Sequence, residues 1–203
     1  MARKKFTINV DWAYAMMENF RKYSLAVSSG NNDAQISLED KWVPPLPNYF
    51  RLDVDAGFDI RNNKFSVGAV VRNTLGQVCG AHASPIRYPG SVACAELLAI
   101  RNGMDLCLRV GLTNVCIFSD SLEAVRMVLS HVEDLGSAGV LAMEIQSMLE
   151  LPNFHSIKHV RRRAVEVAHI LARKALSCNR SINCVNDDLP LWLVNIVSRD
   201  FPN

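Results

Sequence analysis

Residues 51–58 read Arg-Leu-Asp-Val-Asp-Ala-Gly-Phe, and their alternation decides how the rest of the chain is read. Side chains on a strand point to opposite faces with a period of two. Leu52, Val54 and Ala56 therefore share one face of a strand over residues 50–57, and Arg51, Asp53 and Asp55 share the other. The apolar face calls for a covering layer. On the polar face Asp55 reads either as a ligand or as a solvent-facing group, and Asp53 reads as a surface charge.

Downstream, Val67, Ala69 and Val71 alternate with Gly68 and Val70 and predict a second strand. Asn73-Thr74-Leu75-Gly76 is a hairpin turn in which Gly76 can take positive φ, and residues 77–83 return as a third strand, so these neighbours run antiparallel. From Ser91 the period changes. Ala95, Leu98, Ala99, Asn102 and Leu106 fall at helical spacings, and Gly111 is the expected C-cap. Residues 114–118 predict a short strand buried on both faces. Asp120 and Glu123 stand at capping-box spacing before a helix over 121–130. A helix over 137–150, a fifth strand over 154–160 and a last helix over 164–176 complete the order β-β-β-α-β-α-α-β-α. Such an order implies an α/β fold, a mixed sheet with helices on both faces.

Upstream, residues 11–26 carry Trp12, Met16, Met17, Phe20 and Tyr23 at weakly amphipathic spacing, a polar stretch follows, and Pro44, Pro45 and Pro47 favour an extended approach. The expected division is an N-terminal helix and proline-containing linker over 1–48, a compact domain over 49–180, and a tail over 181–203. The apolar segment from Leu189 to Val197, interrupted by Pro190, is expected to dock on the domain as a short helix.

A formal charge of +2 leaves a phosphate-bearing partner allowed but not indicated. The six cysteines include no Cys-x-x-Cys pair, so a disulfide scaffold is not expected and a reducing compartment is. No secretory signal and no run of eighteen apolar residues is present, so the expected setting is intracellular, nucleus or cytoplasm, with no membrane partner.

Two features carry chemistry. Asp55, Glu96 and Asp120 come from a strand, a helix and the end of another strand, and a parallel pairing of the two strands would turn both aspartates to one crevice. Converging carboxylates repel one another unless a cation joins them, and all-oxygen ligands suit Mg²⁺ or Mn²⁺. Each acid alone has a plainer reading, Asp120 as a helix cap and Glu96 on an exposed helix face. The second feature is basic: residues 154–180 hold Lys158, Arg161, Arg162, Arg163, Arg173, Lys174 and Arg180 against the single acid Glu166. Such a ridge beside a carboxylate crevice can hold phosphate oxygens, or be a solvated face.

The segments 51–58, 66–81, 93–121 and 157–176, with the lead-in Trp42, Pro44 and Pro45 and the tail Leu189 to Asp200, resemble the plant branch of the type-1 ribonuclease H domain. In particular they resemble the domain found in plant non-LTR retrotransposon reverse transcriptases and their standalone relatives, over roughly residues 41–200. The resemblance implies a ribonuclease H-like fold with a five-stranded sheet in the order 3-2-1-4-5. It implies a metal-dependent endonuclease that hydrolyses the RNA strand of RNA–DNA hybrids by a two-metal mechanism. It carries the metal ligands onto Asp55, Glu96 and Asp120, with Mg²⁺ as cofactor and Mn²⁺ as the alternative. His169 falls where the wider family has a fourth carboxylate, so the implied catalytic set is Asp55, Glu96, Asp120 and His169. Lys158, Arg161, Arg162 and Arg163 are the expected substrate-binding residues, and a monomer is expected. Against the branch pattern, Ala56 and Gly57 are exchanged, Arg163 replaces an acid, and Val165 replaces an asparagine that would face the substrate region. These departures keep open a non-catalytic nucleic-acid-binding module derived from a retroelement. The apolar N-terminal helix and tail keep open an interaction domain.

Overall fold

The computed structural model describes residues 41–200 apart from residues 88, 131–135 and 186–188. The helix expected over 11–26 and nearly all of the polar stretch after it lie outside the described residues.

The strand opened by residues 51–58 is β1 (Phe50–Asp59), and it is the middle of the sheet. β2 (Lys64–Arg72) pairs with it antiparallel, and β3 (Val78–Ile86) pairs antiparallel with β2. Gly76 makes the turn between β2 and β3 at φ 69°. Helix α1 (Val92–Val110) follows, begun by Ser91, whose hydroxyl accepts from the Cys94 amide, and ended by Gly111 at φ 74°. β4 (Val115–Ser119) pairs parallel with β1, α2 (Leu122–Leu129) and α3 (Ser137–Leu149) follow, and β5 (Phe154–His159) pairs parallel with β4. Helix α4 (Glu166–Cys178) follows β5.

The expected order 3-2-1-4-5 is present, but the sheet has six strands rather than five. β6 (Ile182–Val185) pairs antiparallel with the outer side of β3. Four residues of which only Cys184 is buried give no periodic signal, so the segment reads as tail. Helix α5 (Leu191–Val197) then packs Leu193 and Val197 into the core formed by α4 and the sheet. Near α2 the cap differs from the one expected: Ser121 takes the N-cap position and accepts from the Ala124 amide, which leaves the Asp120 carboxylate for other work. β4 also alternates buried and half-buried residues instead of being covered throughout.

The two faces of β1 meet different helices. Leu52, Val54 and Ala56 pack against Ala95, Ala99, Ile100 and Met104 of α1. The opposite face lies under α4, and there the backbones nearly touch. Gly68, directly across from Asp55, faces the Ala168 carbonyl and the Ala172 amide so closely that a Cβ would collide with both. Gly57 is likewise pressed against Ser66 and Ala172. The exchange of Ala56 and Gly57 thus has a structural reason: position 56 points into the core beneath α1, whereas position 57 faces α4 where a side chain does not fit.

Asp53 is not a surface charge. It is fully buried and accepts from Trp42 Nε1 at 2.9 Å, Arg51 Nε at 2.7 Å and Arg72 Nη2 at 2.8 Å. Arg72 also donates to Asp200, and its guanidinium lies 3.9 Å from the Trp42 ring centre. Arg51 donates to the carbonyls of Val43 and Ala164 and lies 4.0 Å from the Phe118 ring centre. Removing the carboxylate charge would leave buried Arg51 without its ion pair and Arg72 with Asp200 alone, a loss of about 3–5 kcal/mol. Asp53→Asn is therefore expected to lower the denaturant midpoint steeply in urea unfolding followed by circular dichroism. A midpoint within error of wild type would show that the cluster carries little of the stability.

Candidate metal centre

β4 ends at Ser119, opposite Val54 in β1, so β1 runs on past its parallel neighbour with β2 alone beside it. Asp55 is the first β1 residue beyond that point and Asp120 is the first residue after β4. Both aspartates thus stand just past the carboxyl end of the parallel β1–β4 pairing, where open α/β sheets gather ligands. Glu96 arrives from the second turn of α1 on the other face of the sheet. One carboxylate oxygen from each of Asp55, Glu96 and Asp120 lies within 4.8 Å of the other two. The plainer readings do not hold: Asp55 and Glu96 are buried and Asp120 is not the cap.

The electrostatics of this cluster are unbalanced. Burial, with the nearby Asp55 and Asp120 carboxylates, pushes the Glu96 carboxyl up to about 8, against a hydrogen bond from the Ala56 backbone and the charge of Arg162. Burial also raises Asp55, against the pull of its hydrogen bond to His169. Asp55 Oδ1 and Glu96 Oε2 are buried without a hydrogen-bond partner. Leaving such atoms unmatched costs about 1–3 kcal/mol each. Two orphaned oxygens within one all-carboxylate set are what a hard divalent cation would satisfy, so the residues fit Mg²⁺ or Mn²⁺.

His169 Nδ1 lies 2.6 Å from Asp55 Oδ2. Its place on α4, one residue after Ala168 at the Gly68 contact, brings the ring to the carboxylate. This hydrogen bond fixes the orientation of Asp55, the arrangement by which a group behind a ligand orients it. Arg162 comes from a 3-10 turn over Arg162–Val165 and donates from Nε to Asp120 Oδ2 at 2.9 Å. Its Nη2 is 3.9 Å from Asp55 Oδ1. Of the expected phosphate-binding residues, Arg162 alone has an ion pair with these acids among the described residues. Lys158, Arg161 and Arg163 are exposed. Val165 is fully buried with Val160 and Ala164 and does not face a substrate region. Lys174 lies 4.6 Å from the Trp192 ring centre, on the α5 side. Sequence reasoning missed Arg61, which lines a groove with Phe58, Ile60, Arg162, His169 and Arg173 beside the acids. Arg61 belongs to the β1–β2 turn, too far in sequence from the basic ridge to be counted with it.

The model of the family described as reverse transcriptase-like matches residues 53–175, more than half of the chain. The chain belongs to the reverse transcriptase-like family. The match begins at Asp53 and takes in Asp55, Glu96, Asp120, Arg162 and His169. No curated protein matches this family member in sequence. Among solved structures, it is similar to the N-terminal RNase H domain of a Mycobacterium tuberculosis protein at 21% identity and a TM-score of 0.55, covering 64% of this chain and 95% of that one. It is similar to RNase H1 of Halobacterium salinarum at 18% identity and a TM-score of 0.57, covering 64% and 98%. It is also similar to LC11-RNase H1, solved in complex with an RNA/DNA hybrid, at 17% identity and a TM-score of 0.55, covering 64% and 97%. The fold of this reverse transcriptase-like chain is therefore ribonuclease H-like. Among its described residues no helix is long and apolar enough to cross a membrane.

The raised Glu96 sets a pH dependence. The unfolded chain ionises this group near its ordinary 4.5, whereas the folded one holds the proton to about 8. Stability from this group is full below 4.5, falls as pH rises toward 8 and levels off above it. A divalent ion favours the ionised form, so its stabilising effect grows over the same interval. Metal-stripped wild type is expected to lose several degrees of Tm between pH 5 and pH 8 relative to Glu96→Gln, at about 2–4 °C per kcal/mol. Identical slopes in differential scanning fluorimetry for the two proteins would show that Glu96 does not carry a displaced proton.

Proposed function

We propose that the chain is a metal-dependent endonuclease that hydrolyses the RNA strand of RNA–DNA hybrids, within the plant retrotransposon branch whose segments it resembles. The observation that supports this most is the meeting of Asp55, Glu96 and Asp120 with two buried oxygens left unsatisfied. In this reading the three carboxylates hold a pair of Mg²⁺ ions, or Mn²⁺ in their place. Bound there, the ions supply a polarised water and charge stabilisation for the leaving oxygen.

The chain's own residues do the rest. His169 holds Asp55 in one orientation through its 2.6 Å contact. Gly68 lets α4 come close enough to the sheet for that contact. Arg162 presents a planar guanidinium beside the acids, suited to bidentate contact with phosphate. Lys158, Arg161 and Arg163 add exposed positive charge on the approach from β5, where phosphate contacts position a duplex without reading its sequence. Selectivity for the hybrid is expected from ribose 2′-hydroxyl contacts on one strand and backbone shape on the other.

The test is cleavage of an end-labelled RNA–DNA hybrid with Mg²⁺ and with Mn²⁺. Asp120→Asn is expected to reduce the rate by about 10²-fold or more, since charge stabilisation by a held ion is worth several kcal/mol, while hybrid binding is retained. His169→Ala is expected to lower activity by about 10–100-fold, the usual effect of removing a partner that orients a ligand. Hybrid binding with no cleavage by wild type in either metal would instead identify a non-catalytic nucleic-acid-binding module.

A further inference from the structure

Arg162 already occupies one oxygen that an ion would need, Asp120 Oδ2, and stands at ion-pair distance from a second, Asp55 Oδ1. Its Nε donates to Asp120 Oδ2, and its Nη2 is the cationic group nearest the unsatisfied Asp55 Oδ1 among the ion pairs of the described residues. A carboxylate lone pair engaged by a charged N–H is not available to a metal. One guanidinium also brings a single positive charge against three carboxylates, so it balances the site only in part. The two sides differ in freedom. The Arg162 side chain is 50% exposed, whereas those of Asp55 and Asp120 are 0% and 10% exposed. The turn that carries it is fixed from below, because the Ala164 carbonyl accepts from buried Arg51 at 2.9 Å. The arginine head is thus the part that can move, on an anchored base. It has a place to go: the same residue lines the groove shared with Arg61, Arg173 and His169, where three arginines stand against the single carboxylate Asp59 and leave a net positive lining for an anionic strand.

We propose that Arg162 is an exchangeable counter-ion, which holds the carboxylates against divalent metal until a nucleic-acid phosphate draws its guanidinium into the groove. Metal binding and phosphate binding are then positively coupled, and by linkage each strengthens the other by the same factor. This rests on the metal-dependent nuclease reading and adds an order of assembly to it: a bare protein that takes up metal poorly and a complex that takes it up well.

The test is Mn²⁺ binding to metal-stripped protein, followed by isothermal titration calorimetry and by the loss of free Mn²⁺ signal in electron paramagnetic resonance. Without nucleic acid, Arg162→Gln is expected to bind Mn²⁺ about 5–20-fold more tightly than wild type, within the usual range of such couplings. Arg163→Gln removes the same charge from the neighbouring exposed residue and is expected to stay within about 2-fold. A DNA duplex with 2′-O-methyl RNA, which resists cleavage, is expected to tighten Mn²⁺ binding by wild type at least about 5-fold and by Arg162→Gln hardly at all. Arg162→Lys, which keeps the charge but cannot span two carboxylates, is expected to fall between them and serves if the glutamine variant unfolds. Equal tightening by Arg162→Gln and Arg163→Gln, or no tightening by Arg162→Gln, overturns the proposal while saturable uptake by wild type leaves the metal reading standing. Absence of saturable uptake by every variant overturns both.

Discussion

Asp53 places a full negative charge inside the covered face of a sheet, and a charge there persists only when it is matched. The match is made by Arg51 beside it on β1, Arg72 on β2 and the indole of Trp42 from the lead-in. Each partner is then used twice. Arg51 reaches the turn before α4 through the Ala164 carbonyl, and Arg72 reaches Asp200 beyond α5. One carboxylate thus joins the approach to the sheet, its two central strands, the turn that bears Arg162 and the end of the last helix. Such a cluster is a weak source of net stability compared with an apolar core of the same volume. Its effect is to leave α4 and its preceding turn few other places to sit.

That placement governs the site. Asp55 is two residues from Asp53 on the same face, so whatever seats α4 over Asp53 also seats it over Asp55. The helix comes down until Gly68 meets Ala168 and Ala172, and Ser66 donates to the Ala172 carbonyl at 2.8 Å. At that separation His169 reaches Asp55 and braces it. Glu96 and Asp120 come from the other face and from the end of β4, and the three acids are pressed together in a place where their charges are costly. The helices, glycines and hydrogen bonds around them hold the repulsion in position rather than relieving it, and a cation is the species that relieves it.

Much of this was legible in the chain. Alternation in residues 51–58 and 67–71, the helical spacing after Ser91 and the turn residues Gly76 and Gly111 all placed their elements correctly. The three acids were legible because each stands at the end or the middle of an element that a parallel β1–β4 pair brings to one edge. Asp53 was not, because alternation reports which residues share a face and not whether that face is covered. An Arg-x-Asp-x-Asp face looks like one turned to water, and only the glycines at 57 and 68 hint that a helix lies on it. Arg61 and Arg162 were hard to tell from other basic residues, since their roles come from where a turn delivers them. β6 was too short for any period, and Ser121 rather than Asp120 caps α2 because the strand end carries Asp120 toward the other acids.

The first strand of the sheet is also its centre, and this has a consequence for how the molecule is made. β1 must wait for β4, more than sixty residues later, to cover its second edge, and the guanidinium that neutralises Asp53 must wait for residue 200 to complete its own contacts. Long separations of this kind slow folding, since loop closure is paid before the contact is gained. Before β4 pairs, the β1–β2–β3 hairpins form a ribbon with one open side, in which Asp53 already has Arg51 and Arg72 but Arg72 lacks Asp200. An open edge of this kind is where premature pairing competes with folding until β4 covers it.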